Sequence, residues 1–245
     1  MRLCQRGNAR AGGALPARSR PGPVSGRARG SSGGSFGTGL PGIREWARYR
    51  FTWTGPISGF EPGELQDRST LRQRLGYAPD KRVCVVTAGG TAVGRGLIER
   101  CLEAVPALEA RVPGLRMVVA AGPRIDTAGL RAPDHVDVHG YLPNLHLHLA
   151  AADVAVVAGG GTTALELMMA GRPFVWVPLR RHAIQRQHVA HRIQRRGGPS
   201  PTEYGQLSAE ALASAVATQL STEVRYHPIQ DGGLDHAADR LAELL

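Results

Sequence analysis

Cysteine is scarce in this 245-residue chain: Cys4, Cys84 and Cys101 form no CxxC pair and leave an odd thiol. That excludes a disulfide framework and a cysteine-built zinc site, and it reads as the reduced thiols of a cytoplasmic protein. No apolar run approaches the roughly 18 residues that span a bilayer, and no short apolar core is present to make a signal peptide. Acidic residues are nearly absent from the first 50 positions, where Glu45 stands alone against ten arginines. The other 195 residues carry 20 basic and 19 acidic side chains, so the net charge of +10 belongs almost wholly to the amino-terminal stretch. The expectation is therefore no nucleic-acid partner for the folded part, since a basic footprint there is missing.

Residues 1–45 are rich in Gly, Arg, Ser, Ala and Pro and poor in branched apolar side chains. Such a segment cannot bury enough surface to offset chain entropy. It is read as a disordered extension or a mis-set start, ahead of a basic arm for anionic partners or a transit peptide. A single domain is expected over residues 50–245.

From about Arg50 the pattern becomes regular. Short apolar runs, Arg82–Ala88, Leu115–Ala121, Val136–Gly140, Val154–Ala158 and Phe174–Val177, read as strands buried on both faces. Between and after them, residues 96–110, 145–152, 163–170, 187–196, 209–220 and 234–245 carry helical spacing. Alternating buried strands and helices imply an α/β fold, a doubly wound parallel sheet with right-handed crossovers. Ligands in such sheets sit beyond the carboxyl ends of the strands, where both glycine clusters fall.

Gly159-Gly160-Gly161 lets backbone approach a ligand without a Cβ, and the helix start that follows offers unpaired N–H groups and positive dipole. That combination suits phosphate. Gly89-Gly90-Thr91 supplies a second wall of donors. Neither cluster is a P-loop, because no Gly-Lys-Ser/Thr follows, and neither has GxGxxG spacing. Glu166 has two readings of equal weight. Three positions after Thr163, it fits a capping box closing back on the helix start. One turn into a helix whose mouth holds a diphosphate, it also fits a carboxylate accepting from both ribose hydroxyls.

The run Gly159–Glu166, then Ala170-Gly-Arg-Pro173, Val177-Pro178 and Gln187, resembles the carboxy-terminal, donor-binding half of GT-B fold glycosyltransferases, family 28 (MurG-like) foremost. Tyr141-Leu-Pro143 and Thr54-Gly-Pro-Ile57 fit the same pattern, over roughly residues 50–220. The resemblance implies a Rossmann-like half in which Leu142 lies against the base, its backbone reading the pyrimidine edge. It further implies that Gly160, Gly161, Thr162 and Thr163 hold the diphosphate, Glu166 the ribose, Gly90 and Thr91 the phosphates or sugar, and Arg186 with Gln187 the donor sugar. Arg186 replaces an acidic or amide residue of the family, and Ala190 stands where Asn is common.

The remaining candidates have plainer readings. The basic run Arg180, Arg181, Arg186, Arg192, Arg195 and Arg196 is a solvated helix face. His182, His188 and His191 lack a carboxylate at ligand spacing, so no metal is expected, and no DxD motif is present. His139, His146 and His148 read as ordinary surface or loop residues. Met168, Met169 and Trp176 read as core, and Trp53 is left as a candidate acceptor-groove residue.

The functional expectation is the donor-binding half of a nucleotide-sugar-dependent glycosyltransferase, transferring a hexosyl group from an NDP-sugar, UDP ahead of TDP, to an acceptor. No cofactor beyond the NDP-sugar substrate is expected. The acceptor site and the base are not found in the chain, so a separate acceptor-binding subunit is a possible partner. The alternatives are a non-catalytic nucleotide-sugar-binding module and a nucleotide-sugar epimerase relative.

Overall fold

The computed structural model describes residues 22–25, 39–58, 60, 62–65, 67–179, 188–229 and 232–244. Arg180, Arg181, His182, Arg186 and Gln187 lie outside the described residues, as does most of the stretch 1–45.

Five strands form the central sheet: β3 (Val83–Thr87), β4 (Arg116–Ala120), β5 (Asp137–His139), β6 (Val154–Ala158) and β7 (Phe174–Val177). Their order is β5-β4-β3-β6-β7 and every pairing is parallel. All residues of β3, β6 and β7 are buried, as four in five of β4 are. Helices cover both faces, which is why these strands read as continuous apolar runs rather than as alternating ones.

The two-residue period of a strand still sorts the side chains. Cys84 and Val86 point into one core with Leu97, Ile98, Cys101 and Leu102 of α3 (Arg95–Glu103), Val105 and Leu108 of α4 (Val105–Arg111), and Leu212 and Val216 of α8 (Ala209–Leu220). Val83 and Val85 point into the other. There they meet Leu71 of α2 (Arg68–Arg74), Leu149 of α5 (Leu145–Ala151), Leu167 of α6 (Gly161–Met169) and Ile193 of α7 (Ala190–Gln194). Phe174 and Trp176 of β7 are fully buried in this second core, so Trp176 and Met168 are packing residues. Burial also accounts for the thiols. Cys84 is pushed up to about 12 and Cys101 is raised further, Cys84 adding to the burial of Cys101, so both are inert apolar fillers.

Three departures from the sequence pattern have local causes. The helix expected over 96–110 is two helices joined at Ala104, because the Pro106 ring cannot share space with the carbonyl four residues back. The helix expected from Thr163 starts two residues earlier, with Gly160 as its N-cap. The helices expected over 187–196 and 234–245 are described as α7 and as α9 (Gly233–Ala242).

A small second unit precedes the main sheet. α1 (Ile43–Arg50) leads into β2 (Phe51–Gly55), which pairs in parallel with β1 (Gly22–Ser25), four residues of the stretch read as an unstructured extension. α9 returns to pack on β2 and β1. Its first residue, Gly233, is pressed so closely on the Pro56 carbonyl that an added Cβ would lie 1.9 Å from that oxygen. Trp53 lies in β2, half-buried in this unit and distant in sequence from the glycine loops. Among the described residues no helix is long and apolar enough to cross a membrane.

Candidate functional site

Strand order reverses between β3 and β6: the chain moves outward from β3 through β4 to β5, then crosses back to place β6 on the opposite side of β3. The loops leaving β3 and β6 therefore diverge, and a crevice opens between them at the carboxyl edge. Gly89-Gly90 follows β3 and Gly159-Gly160 follows β6, so both glycine clusters flank that crevice.

A cleft of about 480 Å³ occupies it. Gly90, Leu142, Thr162, Thr163 and Glu166 line it together, drawn from the loops after β3 and β5 and from α6. Thr162 is shared with a neighbouring hollow of about 210 Å³, which Gly161, Leu165, Met168 and Ile193 line and Arg192 and Arg196 border. Gly160 sits just before the helix as its extended N-cap, outside the lining, and Thr91 is exposed beyond the β3 loop, also outside it. Of the basic run, Arg192 and Arg195 are exposed as a solvated face requires.

The amino end of α6 opens onto both spaces. Gly160 is extended, with φ −69° and ψ 132°, and no side chain caps the helix. The first backbone bond back into the helix is from Ala164 N–H to the Gly160 carbonyl at 3.4 Å. The N–H groups of Gly161, Thr162 and Thr163 thus have no acceptor within the helix, which leaves donors and positive dipole at the cleft.

This geometry decides one of the two readings of Glu166. With Gly160 as N-cap, Glu166 stands at the sixth helical position, too far along to close a capping box that requires the third. The capping-box reading is overturned: no described side chain or backbone group hydrogen-bonds the Glu166 carboxylate. It faces the cleft half-buried, and burial raises its carboxyl above the ordinary value.

Several lining residues carried no signal in their own sequence neighbourhood. Gly122, after β4, has φ +94°, and a Cβ there would lie 2.3 Å from the Gly89 carbonyl oxygen, so the loops after β4 and β3 meet backbone to backbone. Gly122→Ala would need both a left-handed alanine and a displaced Gly89, and is expected to cost about 2 kcal/mol or more in urea unfolding. Tyr141, 72% exposed, stands at the lip beside Leu142. His146 lines the cleft and stacks on Phe60, ring centroids 5.2 Å apart and ring planes nearly parallel. His148 shares a 2.6 Å hydrogen bond with the Tyr77 hydroxyl, and burial lowers its basicity, aided by His139, Arg116 and His146 nearby. Neither of these two histidines is the idle surface residue expected. Among the described residues no three His, Cys, Asp or Glu side chains converge as metal ligands.

A parallel sheet with a switch-point cleft, lipped by a helix amino end and a half-buried carboxylate, defines a Rossmann-like half. Residues 83–233 match the family model "Glycosyltransferase family 28 C-terminal domain", and the chain belongs to that family. An uncharacterised glycosyltransferase of Methanopyrus kandleri is 29% identical over 194 residues, covering 79% of this chain and 54% of its own. The UDP-N-acetylglucosamine–N-acetylmuramyl-(pentapeptide) pyrophosphoryl-undecaprenol N-acetylglucosamine transferase of Mycolicibacterium smegmatis is 29% identical over 160 residues, 64% of this chain and 40% of its own. The chain therefore spans about half the length of these relatives. Among solved structures, MurG of Acinetobacter baumannii superposes with a TM-score of 0.52 at 18% identity, over 79% of this chain and 58% of that one. The calicheamicin glycosyltransferase superposes with a TM-score of 0.51 at 24% identity, over 83% and 46%. These likenesses establish the fold, the Rossmann-like half of GT-B glycosyltransferases.

Proposed function

We propose that this chain is the donor-binding half of a nucleotide-sugar-dependent glycosyltransferase that passes a hexosyl group from an NDP-sugar, UDP ahead of TDP, to an acceptor. The observation that carries the reading is the half-buried, unpartnered Glu166 carboxylate one and a half turns from the open amino end of α6, in one switch-point cleft. A carboxylate beside an anion site requires a neutral donor pair to receive, and the two hydroxyls of a ribose supply one. The N–H groups at Gly161, Thr162 and Thr163 would take the diphosphate, and the lip at Tyr141 and Leu142 would take the base. Arg186 and Gln187 remain assigned to the sugar on the resemblance.

In the reaction the bond from the anomeric carbon to the diphosphate oxygen breaks as a bond to the acceptor oxygen forms, and the acceptor's proton passes to a base. Donors fixed at the helix end stabilise the charge growing on the departing diphosphate, at no cost in reorganisation. The acceptor and the base would come from a second domain or subunit. In support, Leu40, Trp46 and Tyr49 around α1 and Leu234 and Leu241 of α9 are exposed on the elements of the small β1–β2 unit, where two strands alone make too small a sheet.

Calorimetric titration with UDP, TDP and GDP tests the reading. The pyrimidine diphosphates should bind, UDP most tightly, and binding should need no divalent metal. No heat from any of the three would overturn it.

A further inference from the structure

The cleft poses a charge problem that its lining does not solve. Its described lining contains a carboxylate, Glu166, and no arginine or lysine. A nucleoside diphosphate brings further negative charge within reach of that carboxylate, and a nine-residue helix contributes at most about half a positive charge. Like charges in a half-buried crevice oppose one another strongly enough to demand a cation.

Arg124 is placed to supply it. Gly122, Pro123, Arg124 and Ile125 form a tight turn closed by the Ile125 N–H donating to the Gly122 carbonyl at 3.2 Å. Proline occupies the second position, where its fixed φ suits such a turn. Both ends of the turn are pinned. Gly122 is packed against the Gly89 backbone, and Ile125 is 6% exposed in the core beneath. The backbone of Arg124 is therefore held at the cleft rim while its side chain stays exposed. From there the guanidinium reaches across to the β3 loop, where Nη1 donates to the Gly90 carbonyl at 3.5 Å. That contact is long and uses one of five donors, so the fork remains available to an anion.

Resting on the nucleotide-sugar reading, we infer that Arg124 is a substrate-contacting residue: it hangs over the Gly90 loop and clamps the donor's diphosphate against the amino end of α6. The clamp neutralises charge that Glu166 would otherwise repel, and it ties diphosphate binding to the β4 turn as well as to the glycine loops. It also gives the site a preference for nucleotides over nucleosides.

The test is titration of the full chain with UDP and TDP, each against its nucleoside, at low and high salt, for the unaltered protein, Arg124→Ala and Arg124→Lys. Arg124→Ala is expected to weaken diphosphate binding about tenfold at low salt, less at high salt, and to leave uridine and thymidine affinities unchanged. Arg124→Lys should recover part of the loss, because a point charge replaces the bidentate fork. Unchanged diphosphate affinity in Arg124→Ala, or an equal loss for nucleoside and diphosphate, overturns the clamp while leaving the nucleotide-sugar reading in place. Failure of the unaltered protein to bind either diphosphate overturns that reading and the clamp together.

Discussion

Asp153→Ala is expected to remove about 3–5 kcal/mol of folding stability, a loss visible as a large fall in the urea midpoint. The side chain of Asp153 is 6% exposed and lies just before β6. Its Oδ2 accepts from Arg72 Nη1 at 2.9 Å and from the Val83 N–H at 2.8 Å, while Oδ1 pairs with Arg68 at 2.8 Å and Arg82 at 3.2 Å. Arg72, itself buried, also donates to the carbonyls of Ala151, Ala78 and Lys81. Removing the carboxylate strands that guanidinium beside a second one, which is why the cost should exceed that of a surface pair. Asp153→Asn keeps the shape and a hydrogen-bonding capacity, and should cost less.

The same cluster sets a pH dependence. Burial alone would raise the Asp153 carboxyl, but the hydrogen bonds from Arg68, the Val83 N–H and Arg72, with the Arg68 charge, hold it below its ordinary value. A carboxyl depressed in the folded state stabilises fully above its unfolded pKa, and that contribution is lost as pH falls through the folded one. Acid unfolding of the unaltered protein should therefore lose an increment, between about pH 4 and lower values, that Asp153→Asn does not show.

Glu166→Ala should weaken UDP binding about 10- to 100-fold while leaving the fold intact, the reverse of the Asp153 outcome. Two hydrogen bonds from a ribose diol to an ionised, half-buried carboxylate would account for a loss of that size. No capping role exists to lose, so the unfolding midpoint should hold. For Glu166→Gln it should rise slightly at neutral pH, because burial raises this carboxyl in the folded state. The sign follows from proton uptake: the folded chain binds the proton more tightly, so the group's contribution to stability falls as pH rises through its folded pKa. UDP affinity should move the other way, strengthening as pH rises through that pKa and the acceptor ionises. Equal affinity in Glu166→Ala and the unaltered chain would sink the ribose assignment.

Much of this architecture was legible in the residues. Val154–Ala158, Phe174–Val177 and Ala209–Leu220 run as their patterns indicate, because continuous apolar strands and a Ser208 cap leave few alternatives. The sequence pattern starts α6 two residues late because Thr163 followed three positions on by Glu166 mimics a capping box, whereas here glycine takes the extended N-cap conformation at the loop exit. α2 went unread although Asp67 caps it, accepting from the Ser69 and Thr70 N–H groups at 3.0 and 3.1 Å; a polar seven-residue helix shows little periodicity. In the site, glycine clusters and a carboxylate announce themselves by residue type. Gly122, Arg124 and His146 do not, because only strand order brings the loops after β4 and β5 to the same edge as those after β3 and β6.

The Asp153 cluster ties the entry of β6 to the entry of β3, at the rim opposite the cleft. The two strands that part to form the crevice are thus anchored at their far ends by hydrogen bonds and salt bridges rather than by anything near the cleft. Exposed loop positions away from the Gly89–Gly122 contact can consequently change without loosening the platform, and on the proposed function directed evolution of donor choice should find its permissive positions there.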